Sequence, residues 1–208
     1  MARPETPRWL QVVGASQAGK TTLMVALVQR ARSAGQSAAA VKWSHHPLGG
    51  EPAGQAVPRR PAARHQKDAE RLHAAGADPV YRVAPDGVER LSADWARRSA
   101  LPHEQADRWP HLARAWQGLS VEWLLVEGGR ELPTPKIVLA PGGVPPTRGP
   151  VALWVGRPDD AQAFGAERWV PWAPPDALAE LVWARRGDLS RPLSCLAGDS
   201  ACCRDGPL

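Results

Sequence analysis

The sequence predicts an α/β fold in which helices flank a mostly parallel sheet, with a β-hairpin as an extension. Three observations predict it. A strand–helix–strand pattern fills residues 9–42, the clearest buried-strand pattern follows at 121–126, and Asp86-Gly87 separates two short strand-like runs. A helix between two buried strands is the crossover that makes them parallel. Asp-Gly between strand patterns is a two-residue hairpin turn.

The elements follow in order. Trp9-Leu10-Gln11-Val12-Val13 is a short apolar run between Pro7 and Gly14, which reads as a buried strand. From Thr21 to Ser33, Leu23, Leu27 and Val28 recur on one helical face, and Gly35 closes the helix. Residues 38–42 form the second strand. Residues 47–64 hold several prolines and glycines without periodicity, so a long mobile loop is expected there. A helix is expected from His65 to Ala75, capped by Gly76. The hairpin pairs Val80–Val83 with Val88–Leu91. A helix spans Glu104–Gln117, strands follow at 121–126, 136–139 and 151–155, and a last helix spans Pro175–Arg185. Residues 1–186 thus read as a single domain, and 187–208 as an irregular tail.

Composition narrows the function classes. The chain has 208 residues, 43% hydrophobic and 23% charged, which suits a folded domain and not a disordered one. No apolar run reaches the ~18 residues of a membrane span. The start lacks an apolar secretion core, so a cytoplasmic location is expected. The formal net charge is +5, but only four of the 26 basic residues are lysine: Lys20, Lys42, Lys67 and Lys136. Ten tryptophans against one Tyr and one Phe, with 22 prolines, show a bias acting on the whole chain. Scattered arginine is a statement about solubility, and nucleic acid is not the expected partner. Where arginine does most surface work, a retained lysine marks a place that needs a compact ammonium.

Gly14-Ala15-Ser16-Gln17-Ala18-Gly19-Lys20-Thr21 matches the phosphate-loop spacing G-x-x-x-x-G-K-[ST] at every fixed position. It follows a strand and opens a helix, as the mechanism requires. Its backbone N–H groups and those of the helix start, Thr22 included, are the expected phosphate ligands. Lys20 is expected at the β and γ phosphates and Thr21 on Mg²⁺. The fold is therefore P-loop NTPase-like. Glu127 ends an apolar strand before Gly128-Gly129, at the sheet edge where such folds bind ligands, and is the expected metal or water-positioning carboxylate.

Other segments resemble the molybdopterin-guanine dinucleotide biosynthesis protein B family. These are Val12–Leu23, Val41-Lys42-Trp43-Ser44-His45-His46, Gln66-Lys67-Asp68-Ala69-Glu70-Arg71 with Ala74-Ala75-Gly76-Ala77, Leu125–Arg130 and Pro135-Lys136-Ile137. All four lysines fall within them. The resemblance implies a GTP-binding accessory protein of molybdenum cofactor maturation. It implies slow Mg²⁺-dependent GTP hydrolysis, work beside the molybdenum cofactor guanylyltransferase with molybdopterin or a molybdoenzyme as a further partner, and a homodimer. GTP rests on the resemblance alone, since no Asn-Lys-x-Asp guanine reader is present.

The remaining candidates stand on the residues themselves. Lys42 and Lys67 flank the expected loop, where they would neutralise phosphate or an anionic partner. Asp68 is either a magnesium or substrate ligand or a favourable helix-start charge. His45, His46, His65 and His73 lack metal-ligand spacing, and Cys195, Cys202 and Cys203 read as incidental thiols in the tail. A small-molecule P-loop kinase is the alternative function, with Arg59, Arg60 and Arg64 as its lid.

Overall fold

The computed structural model describes residues 6–45, 47–48, 61–91, 97–99, 105–140, 149–157 and 168–193. Ten strands form one sheet. They are β1 (Arg8–Gly14), β2 (Ala38–Trp43), β3 (Val80–Ala84), β4 (Gly87–Leu91), β5 (Arg97–Ser99), β6 (Trp123–Glu127), β7 (Lys136–Ala140), β8 (Val151–Gly156), β9 (Trp169–Pro171) and β10 (Arg191–Pro192). The helices are α1 (Lys20–Ser33), α2 (Pro61–Ala74), α3 (Gln105–Gln117), α4 (Pro175–Ala184) and α5 (Arg186–Leu189). Strand order is β5-β4-β3-β2-β6-β1-β7-β8-β9, with β10 against β1. From β3 to β9 along this order all neighbours are parallel. β4, β5 and β10 are antiparallel additions, and β3–β4 is the expected hairpin around Asp86-Gly87.

Alternation within the central strands explains the layers. Leu10, Val12, Leu125, Ile137 and Leu139 point to one face, where Leu23, Leu27 and Val28 of α1 and Leu178 and Val182 of α4 cover them. Trp9, Val41, Leu124 and Val126 point to the other, against Leu112, Ala113 and Trp116 of α3. Burying each Leu or Val contributes roughly 1.5–3 kcal/mol. Trp9 meets Trp109 edge-on, with ring centroids 5.0 Å apart, so tryptophan builds much of this second layer. Among the described residues no helix is long and apolar enough to cross a membrane.

The sequence does not predict the short strands β5 and β9, and β6 starts at Trp123, two residues later than expected; two further boundaries differ more. Helix α2 begins at Pro61, not His65, because proline is preorganised for the first helical turn. The expected loop loses its last four residues to this helix. Its residues 49–60 lie outside the described residues, while Leu48 at its start is buried and its N–H donates to the Asp86 carboxylate at 2.7 Å. The expected irregular tail is ordered at its start: β10 pairs with Arg8 and Trp9, the stretch of β1 that β7 leaves unpaired. Leu193 is fully buried, and Arg8 Nε donates to Ser190 Oγ at 2.9 Å. Cys195, Cys202 and Cys203 lie outside the described residues, as do His46, Arg59 and Arg60.

Candidate functional site

Strand β1 ends at Gly14 and α1 begins at Lys20, so the phosphate-loop motif bridges a central strand and a helix N-terminus. A Cβ on Gly14 would stand 2.5 Å from the Leu139 carbonyl oxygen, so only glycine lets the loop leave the sheet beside β7. Gly19, before the helix, has φ 77°, and Gln17 has φ 63°, a left-handed backbone in a residue with a side chain. Such strain persists only where surroundings over-determine it, and it collects at ligand sites. No side chain caps α1, so its first N–H groups have no side-chain partner from the cap residue.

Sheet register assembles the rest. Lys42 pairs directly with Glu127 across β2 and β6, and Val12 pairs with Glu127 across β1 and β6. The ends of three adjacent parallel strands thus meet beside the loop. Thr21 Oγ1 donates to Glu127 Oε2 at 2.8 Å. Lys42 Nζ forms an ion pair with Glu127 Oε1 and another, at 2.9 Å, with Asp68 Oδ2 from α2. It also lies 3.5 Å from Thr21 Oγ1. Lys42 and Glu127 are 6% and 2% exposed, so this ion pair is almost dry. Lys20 Nζ donates to the Ala15 carbonyl within its own loop. Burial lowers its pKa, helped by the positive charges of Lys42 and Arg130 and opposed by Glu127 and Asp68.

The structure therefore brings together Lys20, Thr21, Lys42, Asp68 and Glu127. Lys67 stands exposed beside Asp68 and outside this cluster, and Lys136 is buried at the start of β7, at the opposite edge of the sheet. His45 is exposed, and His73 Nδ1 lies 3.1 Å from the Ala77 carbonyl oxygen of its own helix turn. The sequence reading missed Gln11. Its fully buried amide donates to the Gly128 and Gly129 carbonyls at 2.6 and 2.9 Å, and its oxygen accepts from Thr134, so it fixes the turn that follows Glu127. A lone amide inside the apolar run Trp9–Val13 was the available signal, because a buried amide needs partners.

The donor set fits a hard divalent cation held jointly with phosphate. Thr21, Asp68 and Glu127 present oxygen atoms around one point, where the Lys42 ammonium sits. Among the described residues no group of three His, Cys, Asp or Glu side chains forms a complete metal site. Two carboxylates and a hydroxyl suit a metal that completes its shell with phosphate oxygens and water. A separate cavity between Pro135, Val151, Arg168, Arg185, Asp188 and Arg191 contains none of these residues.

Comparison with known proteins agrees with the motif. The family model described as "Molybdopterin guanine dinucleotide synthesis protein B" matches residues 9–145. The "Probable molybdopterin-guanine dinucleotide biosynthesis adapter protein" of Bacillus subtilis (strain 168) is 34% identical over 134 residues, 62% of this chain. The chain matches 63% of that relative's length. Among solved structures, Bacillus subtilis MobB is similar at TM-score 0.48 and 22% identity, covering 85% of this chain and 96% of that one. A MobB protein homolog from Bacillus stearothermophilus has TM-score 0.43 and 16% identity, covering 86% of this chain and 97% of that one.

Proposed function

The chain belongs to the molybdopterin guanine dinucleotide synthesis protein B family, and from that premise we propose that it is a GTP-binding accessory protein of molybdopterin guanine dinucleotide biosynthesis with weak Mg²⁺-dependent GTPase activity. One observation carries the reading: the Thr21 hydroxyl, at the start of α1, donates to Glu127 at the end of the neighbouring strand. That is the metal-side arrangement of a phosphate-loop nucleotide site.

The chain's own groups have separate tasks. The loop N–H groups from Ala15 to Thr22 and the positive end of α1 bind the phosphate oxygens. Lys20 leaves the Ala15 carbonyl to meet the terminal phosphates. Thr21 and Glu127, with Asp68 beside them, would hold Mg²⁺, which would supply positive charge to offset that of the phosphates. Glu127 also orients the attacking water. Lys42 is released from between the carboxylates and turns toward phosphate, and Lys67 adds a solvated positive charge nearby. The partner is the molybdenum cofactor guanylyltransferase, with molybdopterin or a molybdoenzyme behind it. The working form is a cytoplasmic homodimer.

A calorimetric titration of GTP and ATP, each with and without Mg²⁺, tests this. GTP should bind more tightly than ATP and need Mg²⁺, and Lys20→Ala should abolish binding while its circular dichroism stays native. Equal binding by Lys20→Ala would remove the phosphate-loop assignment. Preference for ATP would remove the GTP assignment.

A further inference from the structure

Trp172 is the exposed large hydrophobic side chain among the described residues, at 42% exposure. The other described tryptophans are buried or half-buried, so this one stands apart in a chain that uses tryptophan as core. Its place is specific. It follows β9 at the same sheet edge as Gly14, Lys42 and Glu127, two strands beyond β7. Its indole lies against the phosphate loop: Cη2 and Cζ2 are 3.6 and 3.8 Å from where a Cβ on Gly19 would be.

The backbone beneath the ring is also fixed. The backbone N–H of Trp172 donates to the Gly156 carbonyl at 2.8 Å, tying this residue to the end of β8. Pro171 precedes it, and Pro174 and Pro175 follow at the start of α4, which fixes three nearby φ angles. A rigid aromatic side chain loses little freedom when a ligand covers it.

We infer that Trp172 is the stacking platform for the nucleobase of the bound nucleotide. This rests on the nucleotide-binding reading above and adds the base subsite to it. Phosphates held by the loop leave the nucleoside at the carboxyl edge of the sheet, where open α/β sheets bind ligands. A base there needs a flat apolar partner, and an indole beside the loop supplies one. Stacking accepts any base through its π-face and favours the wider purines, so Trp172 supplies affinity without choosing guanine over adenine.

The experiment compares Mg-GTP with Mg-tripolyphosphate, which carries the phosphates without a base. Both are titrated into the wild type, Trp172→Ala, Trp172→Phe and Lys20→Ala. Trp172→Ala should weaken GTP by roughly 10- to 100-fold and leave tripolyphosphate unchanged, and Trp172→Phe should recover most of the loss. Lys20→Ala should lose both ligands. GTP affinity unchanged in Trp172→Ala overturns the platform. Equal weakening of both ligands also overturns it, because Trp172 would then only support the loop. If the wild type binds tripolyphosphate as tightly as GTP, the base touches nothing and the inference fails while the phosphate loop stands. Failure of the wild type to bind either ligand removes the nucleotide reading and the platform with it.

Discussion

Lys42 and Lys136 are equally dry, at 6% and 0% exposure, yet they face opposite chemistry. Lys42 lies near the carboxyl end of β2 and its ammonium lies between two carboxylates and the Thr21 hydroxyl. Lys136 begins β7 and donates to the backbone carbonyls of Leu132 and Thr134. Carboxylates compensate the first, so another cation can take its place between them. The second faces backbone carbonyls, and burial lowers its pKa to about 8, with the charge of Glu131 acting in the opposite sense. A buried lysine is therefore not functional by its burial. Its partners decide: carboxylates at the carboxyl edge make a site, and carbonyls at the opposite edge make a loop anchor.

Lys42→Met should have the largest effect and is the sharpest way to break this contrast. The side-chain volume stays while Glu127 loses its buried cation, which should cost about 3–5 kcal/mol in a urea denaturation series. Three oxygens would then surround an empty point, so millimolar Mg²⁺ should raise the melting temperature of the variant more than that of the wild type. If Lys42→Met is as stable as the wild type and indifferent to Mg²⁺, the two lysines do not differ in kind.

Lys136→Met should be smaller and purely structural. Two carbonyls lose a charged donor, which costs about 1–3 kcal/mol, and GTP affinity should not change. A calorimetric titration showing weaker GTP binding would put Lys136 in the site. The pH profile separates the two residues further. In the unfolded chain Lys136 keeps its proton up to the ordinary 10.5, and in the folded chain it gives it up near 8. Between those values the unfolded state binds more protons, so stability rises with pH. Relative to Lys136→Met, the wild type should gain at most about 1.4 kcal/mol per pH unit there and nothing below pH 8. Tyr81, whose pKa burial raises, acts in the opposite sense above pH 10, but it is present in both proteins and cancels. A flat difference would mean that burial does not shift the proton equilibrium of Lys136.

How legible each feature was depended on how local it is. The phosphate loop is contiguous from Gly14 to Thr21, so its spacing showed in the sequence. Glu127 showed because an apolar strand ends there, and the hairpin because Asp86-Gly87 permits little else. Lys42 and Asp68 were visible as separate candidates but not as a pair, since their meeting depends on β2 and β6 being neighbours and on where α2 sits. Trp172 was invisible: it reaches Gly19 only through the order β1-β7-β8-β9, and nothing separates an exposed tryptophan from nine others in the sequence. The start of α2 and strand β10 were misplaced for a related reason. Pro61 lies in a proline-rich stretch that reads as loop, and a two-residue strand has no periodicity to detect. Scarcity of lysine selected four residues but could not rank them, because rank comes from burial and partners.

The smallest expected effect belongs to Lys67, and it tests that ranking. Lys67 is exposed beside Asp68, whereas Asp68 pairs with Lys42. An exposed ammonium is solvated and screened, and exposed ion pairs contribute about 0–1 kcal/mol. Lys67→Arg keeps that diffuse charge, so GTP affinity should change by less than about fivefold. Lys42→Arg places a larger, planar head where a compact ammonium fits between Glu127 and Asp68, and should lose more. The two variants are titrated with GTP side by side at low and physiological salt. A small, salt-sensitive change at Lys67 with a larger, salt-insensitive loss at Lys42 supports ranking by burial and partners. Equal losses at both would mean that scarcity alone marks the functional lysines, because an exposed ammonium would then matter as much as a buried one.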